Sequence, residues 1–336
     1  MKIAYILPNY CLIDGKAGGV RIQAAQWADY MRSIGHDVIE IGVWGDYDWE
    51  SFDIIQYFYF GFSYQAVYES IKGKAPQAKF ICAPILDPHE PIGVYKILSY
   101  LAIPKIKLWN EFSLLRHYAK IFDLFLARTE FEKEYLIKAF GISRDKIKII
   151  PLNSRLSPSV VPHDKKNFCL HVSRIFDPTK NVERLVDAAL KYNFELVLAG
   201  SSTTEFDSKL RKKIGDKKNI TFLGRVSDER LIELYSEAKV FALPSTREGV
   251  GLVALEAASY GCDIVITNIG GPKEYFLPNA IAIDPCNVDD IGKAIKRFLA
   301  GETFQPALRE NIEKKYSENT VKDELLKVYN KIGAIH

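Results

Sequence analysis

The feature that most constrains this chain is an alternation running from end to end. Short, continuous apolar runs rich in β-branched residues are separated by stretches long enough for amphipathic helices. Apolar runs that are continuous rather than alternating are what parallel strands buried on both faces require. Strands are predicted at 2–7, 37–42, 53–57, 79–83, 123–126 and 146–150, then at 167–172, 194–199, 219–223, 239–243, 263–267 and 280–283. Helical stripes fill the gaps, such as Val20, Ala24, Trp27, Ala28 and Met31 after the first run. The pattern reads as an α/β chain with doubly wound parallel sheets.

The alternation breaks once. Pro151-Leu152-Asn153-Ser154-Arg155-Leu156-Ser157-Pro158, continuing to Pro162, carries prolines and serines without a period and reads as a linker. Two Rossmann-like domains are therefore expected, over residues 1–160 and 163–317, with a final amphipathic pattern from Asn319 to Ile332 that could pack on either half. The 336 residues are enough for two domains with their own cores. Ligands of such sheets bind beyond the carboxyl ends of the strands, so the site is expected in the cleft between the halves.

Composition removes several function classes. With 48% hydrophobic and 26% charged residues the chain is neither a disordered tail nor a membrane-spanning protein, and no apolar run approaches the roughly 20 residues needed to cross a bilayer. A net charge of +3 is too small to indicate a nucleic-acid binder. The five cysteines form no C-x-x-C pair, which fits reduced thiols better than a disulfide framework or structural zinc. Met1–Pro8 is apolar over too short a distance for a signal peptide, so the expected location is the cytoplasm.

Three stretches carry candidate chemistry. Thr246-Arg247-Glu248-Gly249-Val250-Gly251-Leu252-Val253-Ala254-Leu255-Glu256 follows a strand and enters a helix near Val250 or Gly251. Its glycines allow close backbone approach, and the first helical N–H groups point at whatever sits there. Glu256, one turn in, leans back toward the same place as Glu248; a carboxylate on so apolar a helix needs hydroxyls or a cation as partner. The plain structural alternative is a dipole-matching Glu plus a paired one. In the second stretch Arg174 ends a strand and Lys180 sits where a helix begins, a pair able to clamp a diphosphate, or simply a surface pair in a loop. The third is Gly15-Lys16-Ala17-Gly18-Gly19 between the first strand and first helix, which is neither a nicotinamide fingerprint nor a P-loop.

Together these residues resemble glycosyltransferase family 4, the retaining GT-B enzymes that use nucleotide sugars. The likeness rests on the E-x7-E of Glu248 and Glu256, followed by Gly261 and Gly270-Gly271-Pro272-Lys273-Glu274, on the R-x5-K of Arg174 and Lys180, on Leu198-Ala199-Gly200, on Phe222-Leu223-Gly224 and on Gly18-Gly19. It is close in the C-terminal half and much weaker in the N-terminal half. The resemblance implies that Glu248 binds hydroxyls of the donor sugar, Glu256 the ribose, and Arg174 and Lys180 the departing diphosphate. It further implies that amides of Gly18, Gly19, Gly251, Leu252 and Val253 hold phosphate oxygens, with Gly200, Ser201, Arg225 and Val226 near the base. It implies sugar transfer with retention, no divalent metal and no cofactor beyond the nucleotide-sugar substrate, and a last helix, 318–336, crossing back to the first domain. In one respect the chain departs from the family. Many members have a histidine just after the strand that here reads Lys79-Phe80-Ile81-Cys82-Ala83; here Asp87 or His89 stands nearest to that place.

Two further patterns complete the reading. Asp46-Tyr47-Asp48 is a D-x-D, the metal motif of the other major glycosyltransferase fold, but it follows the second strand between Trp44 and Trp49 and is read as a loop or acceptor contact. From Tyr95 to Lys120 apolar and aromatic residues interleave with Lys96, Lys105, Lys107, Arg116 and Lys120 against the single acid Glu111. That composition suits either helices covering a sheet or a surface lying on the anionic inner face of a membrane. The expected partners are thus a nucleotide-sugar donor, a glycan or lipid-linked acceptor in cell-surface polysaccharide or lipopolysaccharide-type synthesis, and that membrane through 96–120, with no nucleic acid. A nucleotide-sugar epimerase on the same scaffold and a non-catalytic sugar- or nucleotide-binding protein are the alternatives.

Overall fold

A computed structural model describes the chain except residues 9–10, 12–17, 43–44, 62–64, 104–107, 157–163 and 334–336, and the side chains of 65–67 and 69. Gly15, Trp44, Lys105, Lys107, Pro158 and Pro162, named above, lie outside the described residues. The chain divides into two compact units: Met1–Leu152 together with Glu318–His336, and Asn153–Ser317.

In the first unit the elements run β1 (Lys2–Ile6), α1 (Gly19–Ser33), β2 (Asp37–Ile41), β3 (Ile54–Phe58), α2 (Gln65–Lys74), β4 (Lys79–Ala83), α3 (Ile92–Tyr100), α4 (Glu111–Tyr118), β5 (Leu124–Ala127), α5 (Glu130–Lys138) and β6 (Ile147–Ile149). The sheet is parallel, in the order β2-β1-β3-β4-β5-β6. β3 and β5 are buried at every residue, which accounts for the apolar sequence of β5 and for that of β3 apart from Gln56. Of the stripe predicted on α1, Ala24, Trp27, Ala28 and Met31 are buried.

The second unit runs β7 (Lys166–Val172), α6 (Val182–Tyr192), β8 (Leu196–Ala199), α7 (Thr204–Ile214), β9 (Ile220–Phe222), α8 (Asp228–Glu237), β10 (Ala238–Leu243), α9 (Leu252–Ser259), β11 (Asp263–Thr267), α10 (Pro272–Phe276), β12 (Ile281–Ile283), α11 (Val288–Leu299) and α12 (Ala307–Tyr316). Its parallel sheet has the order β12-β11-β10-β7-β8-β9. Counted from its own first strand this is 3-2-1-4-5-6, with the connections reversing direction between β7 and β10. The corresponding reversal in the first unit lies between β1 and β3. These reversals are the crevices in which such sheets take ligands.

The last helix, α13 (Glu318–Gly333), belongs to the first unit. Its buried stripe Val321, Leu325, Tyr329 and Ile332 has helical spacing. The Tyr329 hydroxyl lies 2.8 Å from that of Tyr5 and donates to Gln56 Oε1 at 2.6 Å, so a fully buried polar tip ties the helix to β1 and β3.

Candidate active site

The loops leaving β7 and β10, on either side of the second unit's reversal, are stitched together by a few polar contacts. Asp177 caps the turn Pro178–Lys180: its Oδ1 accepts from the Thr179 amide at 3.0 Å and hydroxyl at 2.7 Å. Asn181 follows in the left-handed region, at φ 59°, and its amide donates to Pro244 O at 2.9 Å and Pro285 O at 2.6 Å. Asparagine tolerates that backbone better than most residues, and its two donors hold the loop against its neighbour. The Thr246 amide donates to Thr179 O at 2.8 Å.

This stitching brings Lys180 to Glu248. Lys180 Nζ donates to Glu248 Oε2 at 2.8 Å, and the Ser245 hydroxyl lies 3.4 Å from the same oxygen. Both side chains are largely buried, 19% and 14% exposed, whereas Arg174 is 65% exposed and donates to Asp177 Oδ2 at 2.7 Å. Burial raises the Asp177 pKa, but the Thr179 hydroxyl and amide and the charges of Arg174 and Lys180 outweigh it and leave the carboxyl below its ordinary value. Two cations and two carboxylates thus alternate around one loop pair.

Glycines shape the surroundings. A Cβ at Gly270 would stand 2.7 Å from Glu248 O, and one at Gly200 would stand 1.8 Å from Ser173 O, so both positions admit only glycine. Gly251, at φ +86°, is the N-cap of α9, which begins at Leu252, one residue beyond the expected start. A glycine N-cap offers no side chain to the first amides of the helix, those of Leu252 and Val253. The Gly200 amide donates to Gly224 O at 2.8 Å, joining the end of β8 to the turn before Arg225 and Val226; Ser201 and Val226 are half-buried and Arg225 exposed.

Glu256 has different company. It is 3% exposed, and its carboxylate accepts from Tyr235 Oη at 3.0 Å and Arg155 Nε at 3.2 Å. Arg155 in turn makes a forked pair with Asp228 at 2.6 and 3.1 Å. Burial raises the Glu256 pKa, while Arg155 and Tyr235 draw it back. The hydroxyl and the cation that so buried a carboxylate requires are supplied by the chain itself.

Sequence reasoning passed over Asn181, Asp177, Arg155 and His171. Asp-Pro before a turn was a readable signal; the others act across distance. His171 is fully buried on β7, with Nδ1 2.8 Å from Ala242 O and Nε2 2.7 Å from Ser173 Oγ. A carbonyl only accepts, so Nδ1 carries the proton and Nε2 accepts from the serine. Burial pushes its pKa down to about 4, so the ring is neutral at the end of the strand that leads to Arg174.

The remaining candidates belong to the first unit. Gly18 caps α1 with an extended backbone, φ −153°, and a Cβ there would meet nothing within 4 Å; Gly19 is the first residue of the helix. No local strain therefore requires glycine at Gly18. His89 is exposed in the loop after β4, with Nδ1 3.2 Å from Tyr95 Oη. Asp87 in that loop pairs with buried Arg128 at 2.8 Å. Arg128 also donates to Leu86 O at 2.7 Å and to Glu132 Oε2 at 2.9 Å, and Glu132 accepts from the Leu86 amide at 2.7 Å. Asp46 and Asp48 are exposed in the β2–β3 connection.

Two Rossmann-like units, each with a six-stranded parallel sheet, make up the GT-B glycosyltransferase fold. The likeness to solved structures runs the whole length: sucrose-phosphate synthase from Thermosynechococcus elongatus superposes with a TM-score of 0.77 over 100% of both chains at 18% identity. In sequence, residues 154–316 match the family described as Glycosyl transferases group 1. Among relatives, an uncharacterised glycosyltransferase of Methanocaldococcus jannaschii is 30% identical over 225 residues, 59% of this chain and 57% of that one. O-antigen chain mannosyltransferase B of Escherichia coli is 26% identical over 204 residues, 54% of this chain and 53% of its own. The chain thus spans little more than half the length of these relatives.

Proposed function

We propose that this chain is a retaining, metal-independent glycosyltransferase that moves a sugar from a nucleotide-diphosphate donor to a glycan or lipid-linked acceptor in cell-surface polysaccharide or lipopolysaccharide-type synthesis. The observation that carries the reading is the Lys180–Glu248 pair, held at the strand reversal of the second unit beside a glycine-capped helix N-terminus. The match of residues 154–316 supports it, and the Escherichia coli relative supports the polysaccharide setting.

In this reading an arriving diphosphate takes Lys180 away from Glu248 and recruits Arg174, whose exposed guanidinium lies against Asp177. The amides of Leu252 and Val253 add the partial positive charge of a helix start. Glu248, released from the lysine, accepts from sugar hydroxyls. As the bond to the leaving phosphate lengthens, the negative charge growing on that oxygen is met by two cations already in place, which is the role a divalent ion plays in other enzymes. Glu256 holds the ribose by sharing its carboxylate with Tyr235 and Arg155; Gly200, Ser201, Arg225 and Val226 border the base.

The test is a panel of nucleotide sugars. A nucleotide diphosphate and its sugar donors are expected to raise the melting temperature, and the matching donor to be hydrolysed slowly without acceptor. Thermal stabilisation with no turnover of any donor would leave a binding protein instead.

A further inference from the structure

Beside the loop that carries Lys180, between the first turns of α6 and the face of α7, lies a cleft of about 360 Å³. None of the residues proposed for the donor lines it. Its volume falls at the lower end of the roughly 300–1,000 Å³ over which small-molecule sites range, so its occupant is small.

Three carboxylates and two cations face the cleft, and their partners decide its charge. Asp177 takes Arg174, Glu183 takes Lys209 and Asp187 takes Lys213, each at 2.7 Å. Arg184 is left over. It is half-buried, its Nη1 donates to Asn181 Oδ1 at 2.8 Å, and among the described residues it forms no ion pair. A guanidinium offers five donors in a planar fork, and a half-buried one without a counter-charge is short of an anion. Lys209 and Lys213 belong to a stretch, 209–218, with five lysines and one arginine against the single acid Asp216, which raises the local concentration of anions. The rest of the wall is apolar: Ile175 and Val182 are buried, and Pro178 and Phe206 join them, Phe206 packing partly on the core.

We propose that this cleft is a second anion site, for a monosaccharide that carries a phosphate or a carboxylate. The Arg184 fork takes the anionic group, a match of planar donors to paired oxygens. The sugar ring lies against Phe206 and Pro178. Its hydroxyls donate to Glu183 and Asp187, whose carboxylates keep acceptor capacity beyond one lysine each. A nucleotide diphosphate is too large and too highly charged for one unpaired guanidinium among three carboxylates. The inference goes beyond the donor chemistry and does not rest on it.

Calorimetric titration of the full chain with glucose 6-phosphate, glucuronate and glucose tests it. Both charged sugars are expected to bind, and neutral glucose at least about tenfold more weakly; binding of only one of the two would support the site and identify its anion. Arg184→Gln should weaken the charged sugars at least about tenfold. Glutamine can still donate to Asn181, so the loop keeps its bond and the fold is retained, which a thermal melt checks. Phe206→Ala should cost about fivefold. Lys180→Ala should bind the charged sugars as wild type does, which separates the cleft from the donor clamp; nucleotide-diphosphate binding by Arg184→Gln reports on the donor reading by itself. No heat from either charged sugar at millimolar concentration, or unchanged affinity in Arg184→Gln, would overturn the proposal. So would affinity lost in Lys180→Ala and kept in Arg184→Gln, which would assign the binding to the donor loop.

Discussion

Under the first unit's sheet, Tyr57 meets Tyr68, Phe80 and Phe122 at ring-centroid distances of 5.0, 6.4 and 5.5 Å, with Phe60 and Phe125 close by. In the second unit the corresponding layer is Leu185, Val186, Leu196, Leu198, Val240, Val265, Ile291 and Ile295. Both solutions bury a parallel sheet, one with large rings in edge and stacked contacts, the other with close-packed aliphatics. The difference runs parallel to the family match, which covers residues 154–316, within the second unit. The charge pairs proposed for the donor sit in that half. In the half outside the match lie the Arg128 lock on the loop after β4 and the exposed face of α3. Under the proposed function the second unit carries the donor site, and the division to be tested is the one between that unit and the first.

The sharpest way to break that division is to disturb the first unit and measure the second. Arg128→Met leaves the buried Glu132 carboxylate, 2% exposed, with amides but no cation. Removing one partner of a buried pair costs about 3–5 kcal/mol, expected in the unfolding transition of the first unit followed by urea and circular dichroism. Nucleotide affinity should not change; a parallel fall would show that the units do not divide as described. The converse disturbs the second unit. Lys180→Ala is expected to slow transfer about a thousandfold or more, a loss of about 3–4 kcal/mol at the transition state, with the fold retained. Glu248→Ala should cost a similar amount, and the double variant less than the sum. Full transfer by either single variant, measured with the donor identified by thermal shift, would remove that residue from the mechanism.

Much of this comparison was legible in the sequence, for a physical reason. Strands buried on both faces are written as largely apolar runs, and every predicted run overlaps a strand, from Lys2–Ile6 to Ile281–Ile283. Lys180 and Glu248 were also named, because each stands at the boundary of a run. Their pairing was not, since 68 residues separate them. Arg155 lies 101 residues from Glu256, and Tyr235 lies 21. Only the strand order brings such positions together, and spacing along a chain reports neighbours within one helix or strand alone. Between Tyr95 and Lys120 the sequence was apolar enough for either a covered or an exposed helix. The structure separates the two faces of α3, with Tyr95 and Ser99 inside and Ile97 and Leu101 outside.

A smaller effect sharpens the comparison through pH. His171 is buried and neutral in the second unit, its pKa pushed down to about 4 from 6.5 by burial, with the Ala242 carbonyl opposing the shift and the Lys180 charge adding to it. An unfolded chain protonates that ring first. The stability His171 contributes is therefore full above pH 6.5 and lost progressively as pH falls to about 4. The total is about 3 kcal/mol. In His171→Gln this slope should disappear from the second unit's unfolding transition, whatever the substitution costs in itself. An unchanged slope would place the acid sensitivity on other groups.

The smallest expected effect is none at all. If Arg174 and Lys180 neutralise the leaving diphosphate, the charge a divalent ion would supply is already present, and EDTA should leave the transfer rate essentially unchanged. Added magnesium should then do no more than screen the donor's phosphates, giving a modest rise in KM with kcat constant. A loss of kcat in EDTA that magnesium restores would reverse the assignment. It would move charge neutralisation from the second unit's side chains to a bound ion and make the Asp46-x-Asp48 pair of the first unit the next position to substitute. The two halves of the comparison thus meet in one titration, because a metal requirement is the outcome under which the donor chemistry could not rest on Arg174 and Lys180 alone.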